Sequence, residues 1–152
     1  MDAMDASKPR HKSFTYKTGM TWVEGKMGTL ESEGKPSIQV SSPPEFKGVA
    51  GVWTPEDLFV ASVECCHMAT FISFANRRQL PIISYKSHAN GVLEFIDGDF
   101  RFTRIVIFPT IVVSNSSAEG DVHDILREAQ KHCLVANSIA SIVEVNPTIM
   151  VQ

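Results

Sequence analysis

Tyrosine and tryptophan are scarce in this 152-residue chain, with two of each, and cysteine is nearly so, with three. An odd, small number of thiols excludes a paired disulfide framework and points to a reducing compartment. The opening residues, MDAMDASKPRHK, have no apolar central run and so do not read as a secretory signal. A cytoplasmic location is therefore expected. A basic surplus is also missing. Lys and Arg number 14 against 17 Asp and Glu, for a formal net charge of -3, which argues against a nucleic-acid binder. Neither a C-x-x-C nor an H-x-x-x-H spacing occurs, so no metal site is expected. Internal repeats and low-complexity segments are absent as well.

Apolar residues make up 43% of the chain and charged residues 20%, the balance of a soluble globular protein. The length suits one domain with a substantial core. We expect a flexible leader over residues 1–12 and a single domain over residues 13–152. Within that domain the most informative run is WTPEDLFVASVECCHMATFISFANRR, from Trp53 to Arg78. Thr54 suits the helix cap, Pro55 the first helical position, and Asp57 the partner in a capping box. Glu56 and Asp57 sit where the positive end of the helix dipole favours carboxylates, and Arg77 and Arg78 match the other end. Besides its cysteines, the stretch from Leu58 to Ala75 carries only Glu64 and His67 as ionisable groups. A helix apolar nearly all round belongs inside the protein or inside an oligomer. Its Ser, Thr, Glu and His content argues against a membrane span.

Around this helix the pattern reads as strands. Residues 14–23 favour extended structure, Gly25 and Gly28 mark a turn, and a short return strand passes through Thr29 and Leu30. Residues 37–41 alternate as a strand, and a loop over residues 42–52 with Pro43, Pro44, Gly48 and Gly51 leads to the helix. After Pro81, residues 83–95 and 100–113 form a hairpin about Asp97-Gly98. Pro109 suggests an edge position or a bulge. A second helix is expected from about Asp121, with Asp124 completing its cap and Val122, Ile125, Leu126, Ala129 and Cys133 on its inward face. Residues 143–151 read as a last strand. The order of elements makes the class α+β.

A redox pair needs two thiols whose β-carbons approach to about 4.5 Å. Cys133 with Cys66 or Cys65 would qualify, whereas adjacent cysteines such as Cys65 and Cys66 rarely form a relaxed disulfide. Buried cysteine often only fills space, and Cys65 is expected to do so. His67 and His132 flank the two candidate thiols. Neighbours on a helix point about 100° apart, so both histidines are expected to be structural. A metal site of Cys66, Cys133 and His132 is the weakest of the alternatives.

The segment Thr54-Pro55-Glu56-Asp57-Leu58, with Cys66 ten positions after Glu56, resembles the hallmark of the OsmC/Ohr family, the osmotically inducible and organic hydroperoxide resistance proteins. A second landmark, a cysteine at a helix end followed by a short tail, is similar to Ala129-Gln130-Lys131-His132-Cys133-Leu134-Val135-Ala136-Asn137-Ser138. Trp22 with Gly25 and Gly28, and Gly91 with Asp97-Gly98, also fall where the family has like features.

This resemblance implies an OsmC-like fold: antiparallel sheets packed on a long central buried helix plus a second helix, in an intertwined homodimer. It implies a thiol peroxidase for organic hydroperoxides. Cys66 would attack, Cys133 would resolve, and Glu56 would be the site carboxylate. No bound cofactor is implied; an external dithiol, often dihydrolipoamide, would recycle the disulfide. On one straight helix Glu56 and Cys66 lie about 15 Å apart, so Glu56 would serve the Cys66 of an antiparallel partner unless the helix breaks. Family enzymes use an arginine beside the thiolate. Here Lys26 occupies the early turn, while Glu45 and Lys47 lie in the loop before the helix. Lysine brings charge without the planar fork. Lys26 is the expected catalytic cation, and Phe46, Trp53, Phe59 and Met68 are the expected apolar lining for an alkyl hydroperoxide. The missing arginine motivates an alternative, a non-catalytic dimer of the same fold holding an apolar or acyl ligand at the interface.

Overall fold

The computed structural model describes residues 12–152, so the expected leader falls almost wholly outside the described residues. The chain divides into two compact units, one ending at Thr54 and one running Pro55–Gln152. The first is an antiparallel meander of β1 (Gly19–Glu24), β2 (Met27–Glu31) and β3 (Ile38–Ser41). The first strand begins at Gly19, opposite Glu31, rather than at Phe14; among the described residues those before Gly19 pair with no strand. Gly25 makes the β1–β2 turn with φ 51, and the Trp22 indole donates to its carbonyl at 2.9 Å. The loop that follows β3 folds on itself through a 3₁₀ turn, Pro44–Phe46. The amides of Phe46 and Gly48 both donate to the Pro43 carbonyl. A side chain on Gly48 would overlap the Ser42 carbonyl.

The second unit is built on α1 (Pro55–Arg77). The helix starts at the proline that the sequence marks and ends in a Schellman motif. Gln79 takes the left-handed conformation (φ 54), and the amides of Gln79 and Leu80 donate to the carbonyls of Asn76 and Ala75. The hairpin β4 (Ile82–Ile96) and β5 (Asp99–Val113) follows, with Asp97 and Gly98 both at positive φ in the tight turn. Then come α2 (Glu119–His132), β6 (Ile142–Val145) and β7 (Thr148–Val151).

Three expectations are corrected here. The sheet of this unit is mixed, because β6 and β7 both run parallel to β5. The expected final strand is two strands, broken at Asn146-Pro147. Pro109 is neither on an edge strand nor at a bulge. It lies mid-strand in β5, opposite Ser87, in the gap between the residues that pair with β6 and those that pair with β7. Its missing amide is needed by no neighbour there. The start of α2 differs too. Asn115 caps a 3₁₀ turn, Ser116–Ala118, which runs into the helix, and Asp124 pairs with Arg127 instead of capping.

The inner face of β4 receives α1. Tyr85 meets Phe71 at 5.6 Å between ring centroids, and Ser87 donates to Glu64 at 2.5 Å. At Gly91 a β-carbon would collide with Val60 and stand 2.9 Å from the Phe102 ring. Glycine therefore sets how closely the strand and helix approach. The apolar stripe Val122, Ile125, Leu126 and Ala129 of α2 is buried against Phe71, Ala75, Ile111 and Val113. Val63, Ile105 and Ile107 form a second cluster with Phe59 and Ala89 around them.

Although α1 is apolar on every side, its buried residues are Val63, His67, Phe71 and Ala75, a single stripe. His67 is 1% exposed, and neither ring nitrogen has a hydrogen-bond partner among the described residues. Burial alone pushes its pKa down from 6.5 to about 4, so the ring is neutral at ordinary pH. The unfolded chain binds a proton at this position near pH 6.5 and the folded chain does not until about pH 4. Stability is therefore intact above pH 6.5 and is lost as pH falls through that window, by about 3 kcal/mol at pH 4. Urea unfolding at pH 7.5 and pH 4 should show this as an acid loss that His67→Leu reduces by about 3 kcal/mol. An identical loss in both proteins would contradict it.

Candidate functional site: a thiol pair between two helices

Cys66 lies on the α1 face toward α2, and Cys133 is the residue that ends α2. Helix spacing separates their surroundings. Glu64, two residues before Cys66, points instead to β4 and Ser87, as residues two apart on a helix do not share a face. Cys66 is the side chain whose proximity acts on the Cys133 thiol. Cys133 is 1% exposed, while Cys66 is half-buried and Cys65 is exposed. So of the pairs left open by the sequence, the structure brings together Cys66 and Cys133. Cys65 does not fill the core as expected. Its thiol donates to the Ser62 carbonyl on the helix surface.

The backbone after Cys133 explains how that thiol is held. Cys133 is the C-cap of α2, where extended backbone angles (φ -67, ψ 106) end the helix. The Asn137 amide donates to the Cys133 carbonyl at 3.0 Å, and the Ser138 amide to that of Val135. The Asn137 side chain donates to the Lys131 carbonyl at 3.1 Å, tying the turn back to the last turn of α2. Burial pushes the Cys133 thiol up, the Ala136 amide pulls it down, Cys66 pushes it up by its proximity and its charge, and the Val135 amide pulls it down. The net direction is upward, so Cys133 rests as a thiol.

The other expected site residues are more scattered. Glu56 stands in the first turn of α1, and one of its carboxylate oxygens is enclosed without a hydrogen-bond partner among the described residues. The helix runs unbroken from Pro55 to Arg77, so Glu56 cannot reach the Cys66 of its own chain. Phe59 stacks on Phe102 at 4.8 Å and belongs to the packing around Val63. Met68 is exposed. In the first unit, Lys26 donates from Nζ to the Phe46 carbonyl at 2.6 Å, clasping the loop before the helix, and Trp53 is exposed. An open cleft of 490 Å³ in that unit, lined by Lys17, Gly19, Glu31, Glu33 and Lys35 among others, contains neither thiol. Among the described residues no three His, Cys, Asp or Glu side chains stand together as a metal cage requires. His132 lies at the surface, against the Phe74 ring and 3.7 Å from Glu128.

The chain of Glu64, Ser87 and Tyr85 was not foreseen. Burial raises the Tyr85 hydroxyl, the neighbouring Ser87 side chain lowers it and the Glu64 charge raises it again, while the hydroxyl itself is enclosed without a hydrogen-bond partner among the described residues. The available signal was Glu64 itself, one of two ionisable groups besides cysteine in an apolar run. Its partners, on a distant strand, carry no local signal.

Known proteins support this assignment of fold and family. The Bacillus subtilis protein YmaD, itself uncharacterised, is 23% identical over 134 residues, which is 86% of this chain and 89% of that protein. An OsmC-like protein of unknown function from Vibrio cholerae superposes with a TM-score of 0.81 at 25% identity, covering 89% of this chain and 99% of the other. An organic hydroperoxide resistance protein from Legionella pneumophila superposes with a TM-score of 0.73 at 20% identity, over 93% and 100%. Residues 48–148, which include both helices and the thiol pair between them, match the OsmC-like protein family, and the chain belongs to that family.

Proposed function

We propose that the protein is a homodimeric thiol peroxidase that reduces organic hydroperoxides. The observation that carries this reading is that Cys66 of α1 acts on the thiol of Cys133, the residue that ends α2, with Cys133 sealed from solvent. Packing alone would not select two sulfurs for the same spot. The Cys66 thiolate attacks the terminal peroxide oxygen, the O–O bond breaks, and an alcohol leaves. The resulting sulfenic acid is then attacked by the Cys133 thiolate, which expels hydroxide and closes the disulfide. An external dithiol such as dihydrolipoamide returns both sulfurs to thiols. The names of structural neighbours, among them the organic hydroperoxide resistance protein from Legionella pneumophila, support the substrate class.

The second copy is proposed from exposed surface. α1 is long and apolar enough to cross a membrane by length and composition, yet 22% of its most apolar window is buried. In the first unit, β1 is exposed along its whole length and displays Met20, Trp22 and Val23. A three-stranded sheet needs an apolar face covered to be stable. An antiparallel copy of α1 would cover the helix and bring the partner chain's first turn toward Cys66, giving the enclosed Glu56 carboxylate a function there. Sedimentation should therefore give twice the 16.8 kDa chain mass at micromolar concentration. A monomer under those conditions would refute the dimer.

Rapid mixing with an alkyl hydroperoxide should consume two thiols per chain far faster than free cysteine reacts. Cys66→Ser should abolish the fast phase. Cys133→Ser should stop at a single turnover and leave a sulfenic acid that a dimedone-type probe labels. Thiol loss at the rate of free cysteine would overturn the peroxidase and favour the same dimer as a carrier of an apolar or acyl ligand, to be sought by native mass spectrometry.

A further inference from the structure

We propose that Asn137 is a positioning residue for disulfide closure. Its side chain bridges across Cys133 and keeps that thiol seated between α2 and the tail that follows. This rests on the peroxidase reading, in which Cys133 is the thiol that closes on Cys66, and it assigns a residue to the closing step alone.

Cys133 is a single inward pin in an outward-facing stretch. It is 1% exposed, whereas Leu134 after it is 69% exposed and His132 before it lies at the surface. Its immediate neighbours add no burial to hold it, so its seating depends on what anchors the chain on either side. On the helix side, Val122, Ile125, Leu126 and Ala129 are buried, and Gln130 Nε2 donates to the Val143 carbonyl of β6 at 2.9 Å. On the tail side, Val135, Ala136 and Ile139 pack on the cluster of Val63, Ile105 and Ile107. Between the two anchored segments the backbone turns extended at Cys133 and the helix stops. The change of conformation therefore falls at the thiol itself.

Asn137 fastens that point. Its Nδ2 donates to the Lys131 carbonyl at 3.1 Å, a helix-end carbonyl that has no partner within the helix. Its amide donates to the Cys133 carbonyl at 3.0 Å. One residue is thus bonded both to the last turn of α2 and to the backbone of the thiol. Ser138 is bonded differently. Its Oγ donates to the Leu134 carbonyl at 2.7 Å and its amide to that of Val135, both within the tail. A tail that swings away as a unit keeps the two Ser138 bonds and breaks the bond from Asn137 to Lys131.

The two chemical steps make different demands on this tie. In the first, Cys66 takes an oxygen from the peroxide and Cys133 is not consumed. In the second, the Cys133 thiolate attacks the sulfenic sulfur, the S–S bond forms as the S–O bond breaks, and hydroxide leaves and takes a proton from solvent. Only the second step needs a thiol held within reach, so only it gains from preorganisation.

The test uses the full chain in a Cys65→Ser background and two oxidants, an alkyl hydroperoxide and diamide. Diamide adds to Cys66, and Cys133 displaces the hydrazine product as the disulfide closes, so closure is also read without peroxide. Asn137→Ala should slow closure about fivefold with either oxidant, the size of one lost neutral hydrogen bond. The rate of the first step at Cys66 should stay that of the parent, and more sulfenic acid should be trapped by a dimedone-type probe. Asn137→Asp, of the same shape but without the amide donor, should behave alike. Ser138→Ala should close within about twofold of the parent. Parent closure rates in both Asn137 variants, a loss of the same size in Ser138→Ala, or equal slowing of both steps would overturn the proposal. Slow peroxide consumption by the parent, with diamide closure still dependent on Asn137, would overturn the peroxidase reading and leave the positioning role standing.

Discussion

An apolar helix with one stripe of contacts to its own chain is the constraint on which this molecule turns. α1 touches β4 through Phe71, Glu64 and Val60, and α2 through Phe71, Ala75 and Phe74. These contacts come from adjoining faces of one helix. Between them the helix has a single rotational setting, and that setting turns Cys66 to α2. Gly91 matters because it permits the strand to come close. The site is thus a by-product of how a helix is wedged between a hairpin and a second helix.

The cost of this wedge appears at His67. Its imidazole is enclosed with both nitrogens unpartnered among the described residues, a loss of hydrogen bonding worth on the order of 1–3 kcal/mol. Neutrality limits that cost, because a charged ring in the same place would cost more. One residue earlier, the same helix brings the Cys66 thiol to Cys133. Polar side chains of α1 therefore meet two fates: an imidazole kept neutral by burial and a thiol set against a second thiol. Which fate a residue meets is decided by 100° of helical rotation.

Much of this could be read in advance where the physics is local. Thr54-Pro55 announced a helix that begins at Pro55, Asp97-Gly98 announced the hairpin turn, and the spacing of Val122, Ile125, Leu126 and Ala129 announced the buried face of α2. Ten residues from Glu56 to Cys66 and the tail after Cys133 pointed to the thiol pair. What failed depended on partners remote in sequence. Pro109 is tolerated because β6 and β7 leave a gap beside it, and nothing in residues 105–113 reveals that. Asp124 is a local exception: it pairs with Arg127 three residues on, while Asn115 caps the 3₁₀ turn that leads into the helix. Ser87 and Tyr85 have no motif, and their relation to Glu64 exists only once β4 lies on α1. Cys65 looked like packing because the helix is apolar, but its thiol lies exposed on the helix surface.

The claim that Cys66 and Cys133 form one redox unit is tested most directly by which sulfurs become linked. The protein should be treated with one equivalent of an alkyl hydroperoxide per chain, alkylated, digested without reductant and mapped by mass spectrometry. The account predicts a peptide pair joined through Cys66 and Cys133, with Cys65 recovered as the alkylated thiol. Recovery of all three cysteines unlinked, or a dominant link through Cys65, would contradict it.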